Sequence, residues 1–169
     1  MKDFAEDMKR RAAQLKEIVD KKAPAIFAAA AEKMKDANFS AEGFVVGGSA
    51  APKWPKRKTE TRRSKGKRIL HDRGTMQSSV KAKVRGGGKI HVGLDTDKVP
   101  YGPAHNEGGS FIQYIRPHHR THYKTGKRYQ VKGYSRKITL PQRKYLDYSP
   151  DIGVMAEREL TAAFKNALK

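Results

Sequence analysis

The chain has 169 residues, no cysteine, and 37 Lys and Arg against 17 Asp and Glu, for a formal charge of +20. That length fits one ordinary domain of roughly 100–150 residues with irregular decoration, so a single domain over 1–169 is expected. With 37% hydrophobic and 32% charged residues the core must be economical, which argues against a large buried catalytic cleft; the lack of cysteine excludes disulfides, thiolate zinc sites and cysteine nucleophiles.

The first residues, Met1 to Asp7, alternate charge, and no apolar run approaches the ~20 residues of a membrane span. Neither secretion nor membrane insertion is expected. Phe4, Met8, Ala12, Leu15, Ile18 and Val19 then recur at three- and four-residue spacing, and Ile26, Phe27, Ala30 and Met34 resume the stripe after Pro24. This predicts an N-terminal helical segment over 1–37, bent or restarted near Pro24 because proline has no N–H to give.

Residues 38–68 turn to Gly, Ser, Ala and Pro and then to an aperiodic basic run, which predicts a mobile basic loop. Trp54 sits inside it. Its large area favours anchoring the loop to the body, with stacking on a partner as the alternative. From 69 to 148 an antiparallel sheet is expected. Met76, Val80, Ala82 and Val84 alternate with polar residues, Gly86-Gly87-Gly88 intervenes, and Ile90, Val92 and Leu94 alternate again, as in a hairpin with one buried face. A second hairpin over 110–138 is too polar to be buried on both sides and should protrude. Ser149-Pro150-Asp151 supplies a cap, a first-turn proline and an acid, so 149–169 is read as a C-terminal helix. The fold class is α+β, with a long N-terminal helix and a C-terminal helix packed on an antiparallel sheet, decorated by a basic loop and a protruding basic hairpin.

Charge is unevenly spread along these elements. Residues 53–73 hold 10 basic and 2 acidic side chains and residues 116–144 hold 10 and none, so two short stretches carry +18 of the +20. Solubility alone accounts for basic surface in general, but such concentration fits contact with a polyanion or a protein partner. The candidate contact residues are Lys56, Arg57, Lys58, Arg62, Arg63, Lys65, Lys67 and Arg68 in the loop, and Arg116, Arg120, Lys124, Lys127, Arg128 and Lys132 in the hairpin.

No chemistry-bearing constellation emerges. His118, His119 and His122, with His105 upstream, invite a metal, but residues 116–144 contain no Asp or Glu, and the hard metals of phosphodiester cleavage need carboxylate oxygens. His71-Asp72 and His105-Asn106-Glu107 are adjacent strings whose side chains diverge on extended backbone. Gly86-Gly87-Gly88 lacks phosphate-loop spacing. No enzyme, metal or cofactor is expected. Tyrosines interleaved with Arg and Lys would allow stacking and phosphate neutralisation without sequence readout.

The order of short phrases resembles the phage virion morphogenesis, or tail-completion, family. Trp54 precedes a basic run; Ile69 to Val80 resembles a phrase "iLxDTGxLxxSi"; His91-Val92-Gly93 ends a glycine-turned hairpin; Tyr101 to Gly109 resembles "YAxxHxxGG"; and Leu140 to Leu146 resembles "PxRxFL". Arg73 replaces the usual threonine, Tyr145 stands where phenylalanine is common, and 110–138 is an enlarged basic hairpin. Trp54, Asp72, Gly74, His105, Gly108, Pro141 and Arg143 are the motif positions. Turn chemistry accounts for them as scaffold: Asp72-Arg73-Gly74 would turn the chain into the first strand, and Pro141 and Arg143 would shape the entry to the last helix. The resemblance implies a non-catalytic subunit of a homo-oligomeric ring, commonly six-fold, at the head-proximal end of the tail or in the neck. Its partners would be itself and other tail or neck proteins, with nonspecific DNA contact, first in the bacterial host cytoplasm and then in the virion. The alternative is a stand-alone, sequence-nonspecific nucleic-acid-binding protein.

Overall fold

The structure is a computed structural model and describes residues 4–62 and 64–168. Helix α1 (Phe4–Glu17) continues through a wide turn, Ile18–Lys22, into α2 (Ala23–Ala41). Pro24 explains the turn: it offers no N–H, and its ring crowds the carbonyl four residues back. The helix therefore widens, with the Ala23 N–H donating to the Ile18 carbonyl, and runs on without breaking.

The segment expected to be one mobile loop over 38–68 is divided. Its first residues complete α2, and strands β1 (Gly43–Val46) and β2 (Ser49–Lys53) form a hairpin before the irregular stretch begins. Apolar Phe39, Val45 and Trp54 are buried there, and this burial ties down a segment whose composition looks like a linker. Trp54 is an anchor.

The expected strand from Met76 also begins later. Gly74, at φ 74°, turns the chain into a short helix α3 (Thr75–Ser79), and β3 (Val80–Arg85) follows. Met76, Ser79 and Val80 are all buried, at the three- and four-residue spacing of a helix turn, so their pattern satisfies a helix as well as alternation would a strand. β3 pairs with β4 (Lys89–Leu94) across the three glycines, Ala82 opposite Val92 and Val84 opposite Ile90. Residues 102–107, expected only to be punctuated by glycine and proline, form a short helix, α4 (Gly102–Glu107), that starts with Pro103 in its first turn.

The protruding hairpin has two ladders. β5 (Gly109–Ile115) pairs with β8 (Tyr134–Leu140), and beyond them β6 (His118–Thr121) pairs with β7 (Arg128–Val131). The break falls at Pro117, which cannot donate to a ladder, opposite Gly133, where a side chain would meet the proline ring at 3.1 Å. Helix α5 (Asp151–Ala167) starts where the Ser149 Oγ accepts the Asp151 N–H at 3.3 Å. The fold is α+β, but among the described residues the strands form four separate two-stranded ladders, and α5 packs chiefly along α2. The core gathers Phe39, Trp54, Ile69, Met76, Val80, Val99 and Tyr145 where α2 meets the ladders.

Candidate functional site

Distant segments interlock around Tyr145, which is 2% exposed. Phe39 meets the Trp54 ring edge-on at 5.5 Å and the Tyr145 ring at 5.6 Å. Burial pushes the Tyr145 hydroxyl up to about 12, so it stays protonated. Two asparagines fasten the backbone nearby. Asn38 accepts the Val45 N–H at 2.8 Å and donates to the Tyr145 carbonyl at 3.2 Å. Asn106 accepts the N–H groups of Tyr145 and Leu146 at 3.0 Å and donates to the Leu146 carbonyl at 3.0 Å. The Trp54 indole N–H donates to the Lys144 carbonyl at 2.8 Å. Gly108, at φ 72°, lets Gln142 approach so closely that a side chain there would lie 2.8 Å from its backbone nitrogen.

Arg143 joins this cluster to a cleft. It is 6% exposed, its Nε donates to the Pro55 carbonyl at 3.0 Å, and its Nη2 lies 3.4 Å from the Lys56 carbonyl. Its Nη1 lies 3.5 Å from Nδ1 of His105, whose backbone carbonyl accepts the Arg143 N–H at 2.8 Å. The expected role of Arg143 at the entry to the last helix is therefore corrected: it ties residues 55–56 and His105 together, eight residues before α5 begins. Burial first, and then the Arg143 charge, hold His105 below the usual imidazole range, and against a guanidinium, which has only donors, the Nδ1 can only accept. The cleft itself has a volume of about 480 Å³ and is lined by Arg57, Ile69, Leu70, His71, Asp72, Arg73, Thr75, Met76, Tyr101, His105 and Arg143. Arg57 closes one wall by donating to the carbonyls of Lys67, at 2.8 Å, and Arg68. The Lys67 ammonium pairs with the Asp72 carboxylate at 2.6 Å.

The motif positions Trp54, Asp72, His105, Gly108 and Arg143 thus belong to one neighbourhood, with Gly74 beside His71 of the cleft wall and Pro141 next in sequence to Gln142. Most of the basic candidates lie elsewhere on the surface. Lys56, Lys58, Arg62, Lys65, Lys67 and Arg68 are exposed in the irregular stretch, and Arg57 is half-buried at the cleft; Arg63 lies outside the described residues. Arg116, Arg120, Lys124, Lys127, Arg128 and Lys132 are exposed on the distal hairpin, among Tyr123 and Tyr129. The hairpin histidines are engaged locally: His118 Nδ1 contacts the Arg116 carbonyl and its Nε2 accepts from Arg120, while His122 Nδ1 contacts Thr125. Among the described residues no group of three His, Cys, Asp or Glu is placed to hold a metal ion, and no helix is long and apolar enough to cross a membrane.

No protein-family model, curated protein or solved structure matches the chain. The site therefore stands on its own geometry. Of its two most connected amides, Asn38 was not singled out by the sequence, and Asn106 was named only within the His105-Asn106-Glu107 string, not as a fastener of backbone. Asn38 sits in a helix rich in alanine, and Asn106 lies within the His105 to Gly109 phrase; a buried amide in either place signals backbone to be fastened.

Proposed function

We propose that the chain is a structural subunit of a phage or prophage virion, acting without catalysis in tail completion or head–tail joining and assembling into a ring. The observation that carries the assembly reading is the β5–β8 ladder, whose two faces are both open. Phe111, Ile112 and Tyr114 are exposed, and adjacent strand residues point to opposite faces, so apolar side chains stand bare on each side. A two-stranded ladder alone in water is marginal, and neighbouring subunits would cover it. The collinear phrases add support, since segments far apart in sequence meet around Tyr145 and Arg143. The basic hairpin would then face the DNA channel or a neck partner.

Sedimentation velocity across a salt series, with and without duplex DNA, tests this. A monomer is expected at low salt, where the +10 segments repel one another, and ring-sized species once salt, DNA or a partner neutralises them. A monomer under every condition, together with tight sequence-selective DNA binding, would discard the ring and favour a stand-alone nucleic-acid-binding protein, which Tyr123, Tyr129 and the basic residues of the distal hairpin also support. In either case no metal-dependent cleavage of DNA or RNA is expected with Mg²⁺, Mn²⁺ or Zn²⁺. Cleavage that disappears in a His118→Ala, His119→Ala double variant would refute the non-catalytic reading.

A further inference from the structure

The cleft beside Arg143 holds two guanidinium groups, of Arg57 and Arg143, that are hydrogen-bonded to no carboxylate among the described residues. The Arg143 side chain is more than nine-tenths buried, yet its hydrogen-bond partners among the described residues are two backbone carbonyls and the Nδ1 of His105. Arg57 is likewise held by carbonyls alone, at Lys67 and Arg68. Neither has a carboxylate partner among the described residues. A buried charge satisfied only by neutral dipoles is costly, and a second guanidinium nearby raises that cost. Their proximity has a consequence: after burial, the Arg57 charge is what holds the Arg143 guanidinium below its ordinary range. Of the five N–H groups on the Arg143 guanidinium, three have protein partners among the described residues, one each at Nε, Nη1 and Nη2.

We propose that this cleft is a carboxylate-binding site, taking a carboxyl group carried on a short apolar stem. The planar guanidinium fork matches a carboxylate in two-point contact, and Arg73 at the rim adds a third positive charge. Ile69, Leu70 and Met76 line the same cleft and suit methylene groups behind the carboxylate. Asp72 also lines it, paired with Lys67, and its negative charge weighs against a doubly charged phosphate more than against a single carboxylate. The carboxylate has two sources, a free small acid or an acidic side chain of another polypeptide. This assignment is independent of the ring reading.

The test is a titration of the full chain at about 0.15 M salt, where charges on the distant hairpin are screened beyond about 8 Å. The probes are glutaramate, the monoamide of glutarate with one carboxylate, the blocked tripeptide acetyl-Ala-Glu-Ala-amide, the neutral isostere glutaramide and inorganic phosphate. The readouts are the Nε–Hε NMR signal of Arg143 and ligand-induced thermal stabilisation. Saturable movement with a carboxylate and none with glutaramide is expected, and Arg73→Gln, at an exposed position, should weaken binding about tenfold while leaving the fold intact. Arg143→Lys, which keeps the charge but loses the fork, should weaken it at least as much. Tighter binding of the tripeptide makes a polypeptide side chain the ligand; equal or tighter binding of glutaramate makes it a free acid. The proposal is overturned by a lack of saturable binding, by phosphate binding as well as either carboxylate, or by unchanged affinity in folded Arg73→Gln.

Discussion

Replacing Trp54 with alanine is expected to lower the folding stability by roughly 3–5 kcal/mol, the range for removing a large buried aromatic. Trp54 is 5% exposed, packs edge-on against Phe39, and donates its indole N–H to the Lys144 carbonyl at 2.8 Å. Its backbone N–H also donates to the Glu42 carbonyl at 2.6 Å, and the Glu42 side chain in turn accepts the Ile69 N–H. Alanine keeps the backbone bond but opens a cavity among Phe39, Val80 and Tyr145 and leaves the Lys144 carbonyl without its indole donor. Phenylalanine would refill most of the space and lose mainly the hydrogen bond, so Trp54→Phe should cost roughly 1–3 kcal/mol. Urea titration followed by circular dichroism is the suitable measurement, because Trp54 is the only tryptophan and its fluorescence disappears with it. The expected signature is a lower midpoint at an unchanged slope. A loss below about 1 kcal/mol in Trp54→Ala would mean that the indole carries little of the core, and would return it to the role of a partner-stacking residue.

How far the sequence disclosed this arrangement depends on which force dominates locally. The long helices α1, α2 and α5 were legible because apolar spacing and start signals act within one element, as in the stripe from Phe4 and the Ser149-Pro150-Asp151 start, whereas the short α3 and α4 were not. The β3–β4 hairpin was legible for the same reason, since alternation on either side of three glycines leaves one economical pairing. The β1–β2 hairpin was hidden because its strand residues, Gly43 to Lys53, include glycine, alanine and proline; tertiary burial of Val45 and Trp54 outweighs their weak propensity. The four separate ladders could not be foreseen from alternation, which specifies faces but not which strands share hydrogen bonds.

The site was legible in part. The phrases around Trp54, His105 and Arg143 were picked out by their order, but not their meeting point, because side chain to backbone bonds across about 90 residues, such as Trp54 to Lys144 and Arg143 to Pro55, leave no periodic trace. Arg143 shows this best. In sequence it is one of ten basic residues in 116–144, and only burial separates it from the others, which remain on the surface or only half-buried. Charge count alone would assign all ten to one polyanion surface. The structure separates Arg143, buried at the cleft, from the basic residues exposed on the hairpin.

The hairpin should make duplex DNA binding strongly dependent on salt. Residues 116–137 carry eight Lys and Arg and no acid, and the side chains of Arg120, Lys124, Lys127 and Arg128 are exposed around the distal β6–β7 ladder. Each phosphate neutralised releases condensed counterions, so the logarithm of affinity falls with the logarithm of salt by about 0.9 per contact. Six contacts would weaken binding roughly a thousandfold between 50 and 200 mM salt, whatever the sequence. Tyr123, at 86% exposed, and Tyr129 stand where they would stack on unpaired bases, so single strands should lose less affinity to salt than duplex does. Fluorescence anisotropy on two unrelated duplexes over that salt range measures the slope. Changing Arg120, Lys124, Lys127 and Arg128 together to glutamine should lower the slope by about 3.6, the share of four contacts, and leave thermal stability nearly unchanged because these side chains bury nothing. An unchanged slope in that variant would move the phosphate contacts to the exposed lysines and arginines of 56–68. A duplex affinity indifferent to salt would show that neither basic segment meets phosphate, and the hairpin would then be a surface for protein.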